Sequence, residues 1–345
     1  MKVIPIENIK TIKEEVNLIY RDSSIGDIVA CEPIVDIIQE GSKRTGWVIN
    51  EKFLSLLCFH PKIDYLVTVK NRDQAWQSLV DLPENIRPIL LYMRPRDSKT
   101  LEKYGRFLKV DKRINAGTYY NYGGLLEVFT KAAGFKPKKL QPKFYLDPNI
   151  KSVIKDKNNK VVSKYICVHC RSNKDDYGRD WDDDKWNELM EYFVEREIYV
   201  VEVGMEPVIK SKSRFYINKT DVRDLQEVAH IVNNSFFFIG IDSGFAHVAN
   251  ALQKDGVCLV GKIRGIFYYH TPFTGKFQYR GILRAPLNQA VFHLKVSKVI
   301  EFFENYGKSY YMFKVITSNW LCRNIVQNFV VARNTIRRII KNARK

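Results

Sequence analysis

The stretch Gly240-Ile241-Asp242-Ser243-Gly244-Phe245-Ala246-His247-Val248-Ala249-Asn250-Ala251-Leu252 decides the fold. It continues the apolar run Ser235-Phe236-Phe237-Phe238-Ile239, so it reads as a buried strand that passes through Asp-Ser-Gly into a helix. A helix that starts at such a turn aims its first N–H groups, and the positive end of its dipole, beyond the strand. In open α/β sheets ligands gather at that edge. Taken alone, Asp242 or Ser243 also reads as a simple helix cap and His247 as a structural histidine, while Gly244 would let a phosphate approach the backbone.

Outward from this turn the same grammar repeats. Residues 164–168, 198–203 and 257–260 read as further strands, and residues 183–196, 221–233 and 245–252 as helices. In the first half, strands are expected at 17–20, 46–49, 65–69 and 88–93, with helices at 28–39 and 125–133. Alternation of this kind predicts mostly parallel sheets covered by helices. A chain of 345 residues exceeds what one hydrophobic core organises, so two domains are expected. Pro137, Pro142 and Pro148 punctuate a Lys-rich stretch that reads as the linker. The boundaries follow as 1–145, 146–305 and a basic extension at 306–345.

Composition narrows the partners. The formal charge is +18, and beyond Glu304 no acidic residue occurs while nine lysines and arginines do. Such a field favours anionic partners, whether nucleotide, glycolipid, anionic membrane surface or nucleic acid. A helix from Ser318 or Asn319 onward gathers Leu321, Ile325, Phe329, Ala332, Ile336, Ile339 and Ile340 on one face, with arginines outside it. This amphipathic helix lies on a membrane, packs back on the first domain or, third, contacts nucleic acid. The first 13 residues are charged and lack the apolar run of a signal peptide, and no 18-residue apolar stretch occurs, so a cytoplasmic protein is expected. The six cysteines lack the spacing of a disulfide framework. Cys167-Val168-His169-Cys170 lies on or beside a strand, where residues three apart face opposite ways, so no metal site is expected.

A second turn, Ser23-Ser24-Ile25-Gly26-Asp27, also joins a strand to a helix and alone would be a capping sequence. Together with the Asp-Ser-Gly-Phe-Ala-His helix start, and with the loop from His169 to Asp180 before Trp181, it resembles the signature regions of glycosyltransferase family 9, the lipopolysaccharide heptosyltransferases. The resemblance runs in order over residues 17–261. It implies a GT-B fold, two facing Rossmann-like domains with the active site between them. It also implies that Asp27 is the catalytic base, that Ser23, Ser24 and Gly26 form the acceptor-side loop, that Arg179, Asp242, Ser243, Gly244 and His247 hold the donor diphosphate, and that Glu206 contacts the nucleoside. The co-substrate is then a nucleotide sugar, an ADP-heptose by analogy, and the acceptor an anionic glycolipid.

The residues agree in part. No paired-carboxylate motif of a metal-dependent sugar transferase is present, and a basic loop with a helix dipole replaces a divalent cation, so no metal and no cofactor are expected. Gly-x-Gly-x-x-Gly and Gly-Lys-Ser/Thr fingerprints are absent from the sequence, which argues against hydride transfer and ATP hydrolysis. Cys170-Arg171 and Asp182 stand where family members commonly carry Pro-Gly and proline. Two alternatives suit the charge: transfer of sugar to hydroxylated bases of DNA, and a nucleic-acid-binding protein on an inactive scaffold.

Overall fold

The computed structural model describes residues 1–38, 43–93, 103–104, 113–115, 118–138, 140–172, 178–262, 272–286, 289–308, 311–312 and 315–317. The amphipathic tail from residue 318 onward lies outside the described residues.

Two parallel sheets organise the chain. The first contains β1 (Lys2–Pro5), β2 (Val16–Tyr20), β3 (Arg44–Asn50), β4 (Tyr65–Val69) and β5 (Ile86–Leu90), in the spatial order β1-β4-β3-β2-β5. The second contains β6 (Tyr165–His169), β7 (Tyr199–Glu202), β8 (Tyr216–Asn218), β9 (Phe237–Ile241), β10 (Gly256–Val260) and β11 (Ile282–Arg284), in the order β11-β10-β9-β6-β7-β8. Each of β2, β4, β6, β9 and β10 is buried along its whole length, which is why these runs are mostly apolar and do not alternate.

The strand orders position the site. In the first sheet the chain moves from β2 through β3 to β4, then returns to the other side of β2 as β5. In the second it moves from β6 through β7 to β8, then returns beside β6 as β9. Each return is a topological switch point, where crossovers on opposite faces leave a crevice at the carboxyl ends of the strands. The ends of β2 and β5 carry Arg21 and Leu91, and those of β6 and β9 carry His169 and Asp242.

Helices α1 (Ile25–Cys31) and α2 (Ile34–Ile37) follow β2, α3 (Arg72–Ser78) follows β4, and α4 (Leu125–Ala132) precedes the linker. In the second domain α5 (Asp183–Glu195), α6 (Leu225–Asn234) and α7 (Gly244–Ala251) follow β6, β8 and β9, and α8 (Lys276–Arg280) and α9 (Val296–Asn305) complete the described set. The helix expected over 28–39 is two helices, because Pro33 has no N–H to continue the ladder. One core unites the halves: Ile28, Val29 and Cys31 of α1 share a buried cluster with Phe129 of α4, Ala229 of α6, and Val248 and Ala251 of α7. Side chains from both domains also clasp the linker. Glu32 accepts the Lys143 N–H at 2.8 Å, Gln141 donates to Asn250 O at 2.8 Å, and Gln226 accepts the Asp147 N–H at 2.9 Å.

Candidate active site

The first-domain turn is a lattice of charged side chains. Arg21, just past β2, reaches over the turn to Asp27 in the first turn of α1 and forms a close ion pair with it. The Arg21 side chain is 7% exposed and that of Asp27 is 23% exposed, so the carboxylate is the part that meets solvent. Beside it, buried Asp22 accepts the Tyr92 hydroxyl and lies 3.5 Å from Arg72 Nε, and Arg72 also donates to Ser23 Oγ. Ser24, at the helix cap, has φ 75° and ψ 108° and makes no side-chain cap hydrogen bond. A serine at positive φ is strained, and the ion pairs on either side hold it there.

The second-domain turn is built differently. Ser243 is extended, with φ −147° and ψ 173°, and it does not cap α7. Its hydroxyl instead meets Nδ1 of His169, at the end of β6, at 3.0 Å. Burial pushes the His169 imidazole down to about 4, so it is neutral at physiological pH, and Phe245 packs edge-on against its ring at 4.8 Å. With Ser243 engaged elsewhere, the first-turn N–H groups of α7 are not covered by their cap residue, an anion-binding arrangement.

The two turns touch. A Cβ on Gly244 would lie 2.7 Å from Ile25 Cβ and 3.4 Å from the Gly26 nitrogen, and one on Gly26 would lie 2.8 Å from His247 Cδ2. Both glycines therefore serve a close crossing of α1 and α7, which brings the starts of the two helices together. His247 is buried between Gly26 and the Phe273 ring, whose centroid is 4.5 Å away.

Arg179 and Asp242 approach from the second-domain edge. Both act electrostatically on the buried Cys258 thiol, as does Arg284, and burial with nearby Asp242 drives that thiol well above its ordinary range. In register terms Val260 pairs with Arg284, while Leu259 pairs with Ile241, so Asp242 and Arg284 flank Val260 on one rung, with β10 between the strands that carry them. Arg171, which stands where the family commonly has glycine, makes two bonds to Asp183 at 2.5 and 2.7 Å and so tethers the start of α5. Trp181 is a core residue: its indole N–H donates to Leu294 O at 2.8 Å and its ring meets Trp186 edge-on.

The structure thus brings Asp27, Gly26, Ser243, Gly244 and His247 together. Ser23 and Ser24 border them, and Arg179 and Asp242 form a second group around Cys258. Glu206 stands apart on the exposed loop after β7, within electrostatic range of Arg171. The buried acid of that strand is Glu202, which accepts the Val208 and Ile209 N–H groups and the Tyr216 hydroxyl and shapes the loop that carries Glu206. Sequence reasoning missed Arg21, Asp22, Arg72, Tyr92, His169 and Arg284 as site residues. Arg21 and Asp22 adjoin the quoted turn and His169 ends a legible strand, whereas Arg72 and Tyr92 arrive from 49 and 70 residues away with no local signal.

Residues 123–269 match the family model described as glycosyltransferase family 9 (heptosyltransferase). Lipopolysaccharide heptosyltransferase 1 of Campylobacter coli is 22% identical over 294 residues, 70% of this chain and 83% of that protein. The structure of the E. coli heptosyltransferase WaaC with ADP superposes with a TM-score of 0.59 at 16% identity, covering 85% of this chain and 100% of that one. The same enzyme with ADP-2-deoxy-2-fluoro heptose gives 0.55 at 16% identity, over 84% and 99%. No described helix is long and apolar enough to cross a membrane, and the described residues contain no cluster of three or more metal-ligating side chains. Residues 123–269, which span the turn from β9 into α7, thus resemble glycosyltransferase family 9, and the two Rossmann-like domains share the GT-B fold of the heptosyltransferase structures.

Proposed function

We propose that the enzyme transfers a heptose from ADP-heptose to a hydroxyl of a lipopolysaccharide-type core, by a single inverting displacement that needs no metal. The observation that carries this reading is the contact of the two switch-point turns, which sets one solvent-facing carboxylate, Asp27, beside an uncapped helix start at Ser243 and Gly244. ADP as the nucleotide is supported by the ligands of the related WaaC structures.

In this mechanism Asp27 accepts the proton of the acceptor hydroxyl as its oxygen attacks the anomeric carbon. The new carbon–oxygen bond forms on the face opposite the diphosphate, and the bond to the diphosphate breaks with its electron pair remaining on the phosphate oxygen. That growing charge falls on the α7 N–H groups, Ser243 and Arg179, fixed donors that need no reorganisation. Asp242 supports the helix start, His247 keeps the turns in register through Gly26, Ser23 and Ser24 shape the acceptor side, and Glu206 contacts the nucleoside. Residues 1–145 take the acceptor side, 146–305 the donor side, and the basic stretch at 306–345 faces an anionic membrane from the cytoplasm.

The test is Asp27→Asn, assayed with ADP-heptose and a heptose-free lipopolysaccharide core. Transfer falls by about 10²–10⁴-fold, the usual contribution of a general base, while ADP binding by calorimetry is retained. Turnover at the native rate would remove Asp27 as the base. The wild-type enzyme keeps its activity in excess EDTA, and loss that Mg²⁺ or Mn²⁺ restores would overturn the metal-independent part.

A further inference from the structure

A buried guanidinium is expensive to maintain, and at Arg21 the chain maintains one from several directions. Nη1 donates to Leu91 O at 3.3 Å, at the end of β5. The Phe129 ring of α4 lies 4.5 Å from the guanidinium carbon and the Tyr92 ring 5.7 Å. The Arg21 carbonyl is itself fixed by the Trp47 indole N–H at 3.0 Å. Nε is buried with no hydrogen-bond partner among the described residues, so the cation is held in place more tightly than it is solvated. Burial lowers the pKa of this guanidinium, yet an arginine remains charged in a protein.

The counter-charge is Asp27. Nη2 engages Oδ2, and no described residue bonds Oδ1. One oxygen of the carboxylate is pinned from the protein side, and the other is left to the cleft. We propose that Arg21 is the positioning residue of this site: by clamping Oδ2 against a rigid post, it keeps Asp27 ionised and aims Oδ1 at the acceptor hydroxyl. The proposal rests on Asp27 as the base, and its experiments separate the two ideas.

Other groups around the pair do not compete for this role. Asp22 is engaged by Tyr92 and Arg72, burial drives the Tyr92 phenol well above its ordinary range, and the buried Cys31 thiol of α1 is pushed up to about 12. From the second domain, His247 meets α1 at Gly26. After proton transfer, a neutral Asp27 beside a fixed guanidinium is disfavoured, so the proton passes on to water as product leaves and the carboxylate is reset.

The experiment reads the titration of Asp27 itself, by carbon NMR of the carboxyl groups of the full chain, with the signal identified by its absence in Asp27→Asn. In Arg21→Met the midpoint moves to higher pH by about 1–3 pH units, the range over which an adjacent opposite charge acts, and the acidic limb of kcat/KM moves with it. In Arg21→Lys the charge stays, so the midpoint remains near its native position. A lysine lacks the two-nitrogen fork by which Arg21 spans Leu91 O and Asp27 Oδ2, so kcat drops by about 10- to 100-fold while the KM for ADP-heptose holds. An unmoved midpoint in Arg21→Met overturns the proposal, as does native kcat in Arg21→Lys, which decides the matter if the Met variant fails to fold. Native turnover by Asp27→Asn removes the base and leaves the clamp measurable by titration.

Discussion

The two turns occupy equivalent places, each after a central strand, at a switch point and at the start of a helix whose cap serine makes no cap bond. Their electrostatics are opposite. The first-domain turn compresses Arg21, Asp22, Asp27 and Arg72 into a lattice of paired full charges and holds Ser24 at a strained φ of 75°. The second-domain turn relies on backbone dipoles, a neutral histidine and an extended serine, with arginine brought in by a separate loop. On the proposed reading one scaffold serves two tasks: paired charges fix the ionisation and direction of Asp27, while the N–H groups at the start of α7 receive the anion of the donor.

The sharpest way to break the comparison is at the contact between the turns. Gly244→Val places a branched side chain where even a Cβ would lie 2.7 Å from Ile25 Cβ. The helices must separate, and overpacking of this kind costs about 1–3 kcal/mol. A displacement of about 1 Å between base and donor lowers the rate by roughly 100-fold. Both a reduced Tm and weakened ADP binding are expected, and a variant with native Tm, affinity and rate would show that the crossing of α1 and α7 does not set the geometry.

How much of this was legible follows from where the information lies along the chain. The strand at Tyr65–Val69 and the turn from β9 into α7 are local, apolar and bounded by polar residues, and they fold as read. β1 was not legible: Lys2–Pro5 is a mostly exposed edge strand whose pairing partner is β4, more than 60 residues away. The three-residue strands β8 and β11 are too short to carry a period. Helix α9 was within reach, since Val296, Val299 and Phe302 recur at helical spacing and are its buried residues. At the site, the roles proposed for Asp27 and Ser243 rest on family resemblance, whereas the tasks of Gly26 and Gly244 as crossing points needed coordinates. A glycine against another domain and a glycine under a phosphate look the same in a sequence.

Acid should loosen the second turn through His169. Its folded pKa is lowered by burial to about 4, below the ordinary 6.5, so between these values the unfolded chain binds a proton that the folded one excludes. Stability from this residue is therefore fully present above pH 6.5 and lost as pH falls toward 4, by at most about 3 kcal/mol. Thermal melts from pH 7.5 to 4 should show this decline, and His169→Gln, whose side-chain amide can still pair with Ser243 Oγ, should flatten it. An equal decline in both proteins would mean that acid unfolding starts elsewhere.

The smallest effect separates the two turns most cleanly. Ser243→Ala removes one hydroxyl from the α7 start and leaves the backbone N–H groups, so ADP affinity should fall only about tenfold, the worth of a hydrogen bond to a charged group. Arg179→Ala should act on ADP in the same direction. Neither change alters the Arg21–Asp27 pair, so the acidic limb of kcat/KM stays where it is, whereas Arg21→Met moves that limb without touching ADP affinity. Calorimetry with ADP on all three variants, together with their pH profiles, tests this reciprocity. An Arg21 variant that weakens ADP as much as Ser243→Ala does would mean that the lattice and the dipole rim act as one site, and that the division of labour between the turns is not real.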